Sequence, residues 1–325
     1  MSKSKKILFF LATEKGYSVL RKLLENNKKP YIAGVVSFHE IGVQKDFFFD
    51  INALCDEYNI PFYEWKCIRD NLASLIKNNC ITSCVAISWR FLLPLSLNSI
   101  LEDKIIVFHD SLLPKYRGWA PLVTALLNGD ESVGASVIFA SDQADCGEII
   151  MQKSFKLDNS ATIQKTIVQM SNIYAELSID LVNKIVDDKL SSYPQNEDDA
   201  SYSIWRDEDD YWIDWNWSSN KILRYVKALG FPYKGAKTTV DNKIVRIIDC
   251  SEECDVNFAI RNPGKILSLK DGCPVVICGT GLLKIKKALD EFGNVYTFNK
   301  LRTRLGGGTS QFLVSFVRSD LALCA

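Results

Sequence analysis

Short apolar runs alternate with segments whose apolar residues recur at helical spacing. KILFFL at 6–11 reads as a buried strand, TEKG as a turn, and Tyr17 to Asn27 as a helix carrying Val19, Leu20, Leu23 and Leu24 on one face. YIAGVVS at 31–37 is a second strand, followed by a helix near 47–58 and a short strand, PFYEW. A helix near 69–77 leads to CVAIS at 84–88, and IIVFH at 105–109 is a fifth strand. GASVIFAS at 134–141 is a further strand. This alternation predicts an open, mostly parallel α/β sheet. From Thr162 to Val186 the pattern predicts one long helix, with Ile163, Ile167, Met170, Tyr174, Leu177, Leu181 and Ile185 forming a stripe that is read as core packing.

The pattern changes after the polar, proline-containing stretch SSYPQNEDDAS at 191–201, which is read as a linker. A helix is predicted at 218–229, with Ser218 or Ser219 as N-cap and Gly230 closing it. GAKTTV, KIVRIIDC, GKILSL, PVVIC and LLKIKKAL then read as short strands at the spacing of a small β-barrel. The predicted domains are residues 1–200 and 201–325.

Composition changes this picture little. The 325 residues hold equal numbers of basic and acidic side chains, a formal net charge of zero. That balance argues against a nucleic-acid or membrane-surface binder, which shows a basic excess. The ten cysteines form no CxxC pair and there are only two histidines, so no metal site is expected and free thiols in a reducing cytosol are. MSKSKKILFFLATEK is basic and then apolar, but the apolar run ends early and no small-residue cleavage site follows, so a first strand is the better reading than a signal peptide. No stretch approaches the ~20 apolar residues of a membrane helix. A cytoplasmic protein is expected.

Candidate chemistry gathers at strand ends. His109 closes the fifth strand and opens a loop containing Pro114, Arg117, Gly118 and Pro121. Asp145 lies in DQADCGE, a polar turn after the next strand. Open α/β sheets place their ligands at the carboxyl ends of strands. From the residues alone, a structural histidine and a catalytic one both remain open.

HDSLLPKYRGWAP, continuing through GDESVGASVIF to ADCGEII, resembles the signature of the folate-dependent formyltransferases. The family pattern is N-x-H-x-S-L-L-P-x-[WYH]-[RP]-G, with D-x-G following near a strand end. IDWNWSSNKILRYVKALGFPYKGAKT is similar to the stretch that opens the family's carboxyl-terminal domain. The resemblance implies a Rossmann-like catalytic domain followed by a small, OB-like β-barrel. It also implies N10-formyltetrahydrofolate as donor substrate and an amine as acceptor. His109 would move the proton, and Asp145 would orient it and stabilise its cationic form. Trp89, Arg90, Phe91 and Leu92 would line the pterin pocket, and the turn from Ala140 through Ser141 and Asp142 to Ala144 would close its other side. Trp89 and Phe91 read equally well as core, and Arg90 as a surface charge. Ser111, Lys115, Tyr116, Arg117 and Gly118 would lie near the acceptor, although Tyr116-Arg117-Gly118 reads also as a stretch that only shapes the loop.

One position departs from the pattern. The family's Asn, two residues before the histidine, is Val107, which cannot donate to a developing oxyanion. Loss of one such donor typically costs ~10²–10³ in rate.

The same resemblance frames the acceptor. Transfer to tRNA goes with a long basic loop after the second strand; SFHEIGVQKDFFFD is short, aromatic and holds one Lys. The stretch NEDDASYSIWRDEDDYWIDW is strongly acidic and would repel a phosphate backbone. A nucleotide-linked amino sugar is therefore the expected acceptor, ahead of methionyl-tRNA. A formyl-folate hydrolase or folate-binding protein is the alternative from another class. No membrane partner is expected, and a homodimer is left open.

Overall fold

A computed structural model describes residues 5–41, 45–158 and 161–307. Among these, residues up to 122, 131–158 and 165–204 form one compact unit, and 123–130, 161–164 and 205 onward form a second.

The first unit is built on β1 (Ile7–Leu11), β2 (Ile32–Ser37), β3 (Phe62–Glu64), β4 (Ser83–Ile87), β5 (Ile105–His109), β7 (Ser132–Phe139) and β8 (Ile149–Lys156). A two-residue strand, β6 (Arg117–Gly118), intervenes in the chain and belongs to a separate small ladder. Its helices are α1 (Thr13–Glu25), α2 (Phe48–Glu57), α3 (Trp65–Ile68), α4 (Leu72–Asn78) and nearly all of α6 (Ile163–Val186), whereas α5 (Pro121–Asn128) belongs from residue 123 to the second unit. The sheet runs β3-β2-β1-β4-β5-β7-β8. β3 through β5 pair in parallel, whereas β5–β7 and β7–β8 are antiparallel. The sheet is thus mixed, with an antiparallel flank that the expected mostly parallel sheet lacked. β8 was not among the predicted elements. It is an edge strand whose second half, Lys153 to Lys156, is mostly exposed, so the apolar signal that marks the inner strands fades there.

All five residues of β1 are fully buried, as strands covered on both faces must be. Leu8, Phe10, Val36, Cys84, Ala86 and Ile105 meet Leu72 and Ile76 of α4 in one cluster. TEKG is not a turn; its residues begin α1. The stripe on α6 is core as expected: Met170, Tyr174, Leu177, Leu181 and Ile185 are buried, and the Tyr174 ring lies 5.1 Å from that of Phe108 on β5. Strand order reverses between β1 and β4, which opens a crevice at their carboxyl ends. His109, one strand further on, ends beside it.

The segment read as a linker is bonded to the first unit at both ends, by a bridge between Tyr193 and Ile149 and by Ser201 O, which accepts from Arg117 N at 2.8 Å. β9 (Tyr202–Ser203) pairs in parallel with β6. In the second unit, α7 (Ser219–Ala228) is capped by Ser218, whose Oγ accepts from Lys221 N at 3.2 Å. β10 (Ala236–Val240), β11 (Lys243–Glu253), β12 (Ile266–Lys270), β13 (Cys273–Ile277) and β14 (Leu282–Asp290) form an antiparallel sheet in the order β10-β11-β14-β13-β12. Residues 303–306 reach both edges: Ile266 N donates to Thr303 O at 3.0 Å, and Thr239 N to Gly306 O at 3.0 Å. What the ladder establishes is a five-stranded antiparallel sheet whose edges are touched by one strap.

Among the described residues the cysteines are free, no His/Cys/Asp/Glu group is arranged for a metal, and no helix is long and apolar enough to cross a membrane.

Candidate active site

His109 is the last residue of β5 and is buried. Its Nε2 lies 2.8 Å from the carbonyl oxygen of Tyr116. A carbonyl only accepts, so Nε2 carries the hydrogen and Nδ1 is the free lone pair of the neutral ring. Nδ1 faces Asp145 Oδ1 at 3.5 Å. The other carboxylate oxygen, Oδ2, accepts from Gly118 N at 2.8 Å. One short loop, Tyr116 to Gly118, thereby holds both members of the pair.

Two glycines are required by close approach. Gly118 has φ +95, and a Cβ there would stand 2.6 Å from Ser203 O. A Cβ on Gly147, two residues after Asp145, would meet Phe139 O at 1.7 Å. Asp145 itself is left-handed, with φ +58, a conformation that Asp tolerates better than most residues. The rest of the loop is fixed by buried serines: Ser111 Oγ donates to Lys115 O at 2.6 Å, and Ser136 Oγ accepts from Leu113 N at 3.0 Å while donating to Ser111 O at 2.6 Å. Lys115 is exposed, its Nζ 4.6 Å from the centre of the Tyr116 ring.

Val107 shares a sheet face with His109 because strand side chains alternate. It packs against Leu113, Ile138 and Ile149.

Asp110, next in the chain, forms an ion pair with Lys15 of α1. Burial pulls its carboxyl upward, but the charge and hydrogen bond of Lys15, with Tyr174 and His109, outweigh that and hold it below the ordinary carboxylate range. The Tyr174 phenol is pushed well above its ordinary value by burial and by the Asp110 charge. Lys15 and Asp110 were not singled out in the sequence; the signal was an acid inside the HDSLLP motif with no stated partner.

The residues expected around the pterin lie at the carboxyl end of β4. Trp89 packs edge-on against Phe10, Phe38 and Trp65, with ring centres 5.1, 5.1 and 5.4 Å away. Its buried Nε1 has no hydrogen-bond partner among the described residues. Phe91 is half-exposed and stacks on Trp65 at 5.8 Å, and Leu92 is exposed. Arg90 pairs at 2.7 Å with buried Glu40, whose carboxyl is raised by burial against the opposing pull of Arg90. Ala140 N donates to Ile105 O at 2.8 Å, Ser141 Oγ donates to Gln143 O at 2.8 Å, and Asp142 is exposed. Arg117, expected near the acceptor, is tied into the protein itself. Its side chain is 1% exposed and is bonded to Gln195 and Glu197.

The profile of the family described as Formyl transferase matches residues 5–177, over half of the chain. The chain belongs to the formyl transferase family. A profile for the family's C-terminal domain matches residues 206–301. Among curated formyl transferases, the chain is 26% identical over 242 residues to the methionyl-tRNA formyltransferase of Rickettsia massiliae, covering 74% of this chain and 77% of that one. It is 28% identical to the enzyme of the same name from Rickettsia bellii, covering 88% and 92%. Among solved folds it is similar to an N-formyltransferase from Helicobacter canadensis in complex with folinic acid and dTDP-3-aminofucose, with a TM-score of 0.67 at 16% identity over 90% of this chain and all of that one. HypX from Aquifex aeolicus, in complex with tetrahydrofolic acid, gives 0.61 at 16% over 89% of this chain, which spans only 45% of HypX. At these identities the likeness is one of fold.

Proposed function

We propose that this formyl transferase moves the formyl group of N10-formyltetrahydrofolate onto the amine of a nucleotide-linked amino sugar. The observation that carries the transfer chemistry is the His109–Asp145 pair at the carboxyl end of β5, 3.5 Å apart and held by the Tyr116–Gly118 loop.

The donor supplies the formyl carbon, which the acceptor amine attacks as its bond to N10 breaks. A proton must leave the amine and one must reach N10. The amine proton is taken up by the His109–Asp145 pair. The ring is then an imidazolium with an N–H on each side, one facing the Tyr116 carbonyl and the other the Asp145 carboxylate. The charge that forms during the reaction is met by acceptors already in place. The pair then returns the proton to the leaving nitrogen. Trp89 and Phe91 suit a flat heteroaromatic donor: an unpartnered indole N–H and a half-exposed ring face stand together at the end of β4.

A small acceptor is supported by the surface after α6. Asp198 and Asp199 in the first unit and Asp207 and Asp209 in the second are exposed, and each group repels a phosphate backbone. Residues 42–44 of the loop after β2 lie outside the described residues. The curated relatives favour a second reading, transfer to methionyl-tRNA, since that is the name they carry. One experiment separates the two. The protein is given formyl donor with a panel of nucleotide amino sugars or with charged initiator tRNA, and products are identified by mass. Formylated sugar nucleotide is the expected product; formyl-methionyl-tRNA as the sole product overturns the sugar reading, and donor hydrolysis without acceptor overturns transfer itself.

A further inference from the structure

The segment that follows α6 grips both halves of the candidate site. Gln195 donates from Nε2 to the carbonyls of Asp145 and Gly147, at 2.7 and 2.8 Å, spanning the D-C-G turn. Its Oε1 accepts from Arg117 Nε and Nη2 at 3.0 and 2.8 Å. A guanidinium has only donors, so the amide oxygen must face Arg117 and the amide nitrogen must face the turn. Glu197 closes on the guanidinium from the other side, at 2.7 and 2.8 Å, and this pairing raises the Arg117 pKa further. A few residues on, Ser201 O accepts from Arg117 N at 2.8 Å, Ser203 O from Trp119 N at 3.0 Å, and Ser201 Oγ from Tyr116 N at 3.0 Å. Between these anchored amides lie the Tyr116 carbonyl and the Gly118 N–H, the two backbone groups that touch His109 and Asp145.

We infer that Gln195 is a positioning residue for formyl transfer: oriented by Arg117, it holds the Asp145 turn so that the carboxylate faces His109. The inference rests on the transfer chemistry assigned to His109 and Asp145 above. Three observations carry it. Asp145 sits in a left-handed conformation, φ +58, within the turn whose ends Gln195 bonds. Gln195 bonds the carbonyls at both ends of that turn, Asp145 and Gly147. Arg117, almost wholly buried beside the site, spends its guanidinium on Gln195 and Glu197, so its contribution is to the shape of the site and not to a charge offered to the acceptor.

The test uses the full chain and Gln195→Glu. The new carboxylate still accepts from Arg117, but it presents an oxygen where the amide donated to two carbonyls. Expected is a fall in kcat of about 10²-fold, the loss that a misplacement of roughly 1 Å brings, with donor affinity little changed. A second readout does not depend on the reaction. The chain has two histidines, His39 and His109, so ring-labelled protein gives two sets of imidazole signals. Those of His109 are expected to move, and those of His39 to stay. Gln195→Met, which removes both the donor and the acceptor, should behave alike. Placed in an Asp145→Asn background, Gln195→Glu should cost little more, because both act through one group. Native kcat with unmoved His109 signals in both variants overturns the inference. So does a loss that multiplies with that of Asp145→Asn, or loss of the fold in both variants, either of which makes Gln195 merely structural. Should the wild-type protein transfer no formyl group, the reaction reading has failed, and the His109 signals still report whether Gln195 controls the pair.

Discussion

Each ring nitrogen of His109 faces an oxygen acceptor, Nε2 the Tyr116 carbonyl and Nδ1 the Asp145 carboxylate. His109→Ala removes the proton carrier, and Asp145→Ala removes one of the two acceptors and the partner of Gly118 N. Each is expected to lower kcat by ~10²–10⁴, the range of general acid–base catalysis, with the fold retained by circular dichroism. Near-native turnover in either folded variant removes that residue from the mechanism. Val107 is the next test. Its neighbours include Leu113, Ile138 and Ile149 and it is partly buried, so Val107→Asn sets an amide against apolar side chains at a cost toward the low end of about 1–3 kcal/mol. The variant is expected to unfold at lower denaturant and to gain nothing in kcat/KM. A gain of about tenfold, ~1.4 kcal/mol of barrier, would show instead that the missing amide limits transfer. That His109 and Asp145 would meet was legible because HDSLLP and D-C-G each mark a strand end. Arg117 was not legible as a clamp: its partners Gln195 and Glu197 are 78 and 80 residues away, and nothing local says that a loop arginine will be buried.

At the scale of elements, buried inner strands were readable because both faces are covered and the runs are apolar throughout, as in β1. β8 was not, since an edge strand exposes much of its length. The polar stretch at 191–201 was read as a spacer because hydrogen-bonded side chains such as Gln195 have the same composition as solvated ones. The Lys15–Asp110 pair is likewise an element-level feature, tying the first turn of α1 to the end of β5. Asp110 is held below its ordinary pKa, so its contribution to stability is full above the unfolded value of ~3.9 and is lost as pH falls through the lower, folded value. Lys15→Met removes the group that outweighs burial. The variant should lose up to about 3 kcal/mol near neutral pH, the low end for a broken buried pair because the Asp110 side chain keeps 21% of its exposure. The deficit should shrink as pH falls below about 4, where the carboxyl is protonated. Urea unfolding of both proteins at the two pH values measures it; a deficit that does not change with pH would mean that lost packing of the lysine stem, and not its charge, is responsible.

The whole molecule carries no net charge, and its unequal features are local: an acidic run after α6, with Glu208 held down to about 2 against burial by Lys234, Arg246 and Lys237. Where the pattern switches from helical and strand alternation to short strands was visible near residue 200. The acceptor was not, because spacing encodes which residues meet and not what they will bind. Electrostatics offers the discriminating measurement. A protein that neutralises Z phosphates of an RNA releases their counterions, and its affinity falls with salt at a logarithmic slope of about −0.7Z to −0.9Z. Gripping about six phosphates would therefore lower affinity by roughly 10³-fold between ~50 and ~200 mM salt. A nucleotide-linked sugar presents only a diphosphate, and its recognition is carried mainly by short-range contacts that salt screens little. Turnover of the sugar nucleotide is expected to change only a few-fold over that salt range. Binding of initiator tRNA is expected to stay in the non-specific range of ~10⁻⁴–10⁻⁶ M at physiological salt. Tight tRNA binding with a steep salt slope would show that a basic face, neutralised in the overall sum, outweighs the acidic run. The acceptor would then be the one that the curated relatives are named for.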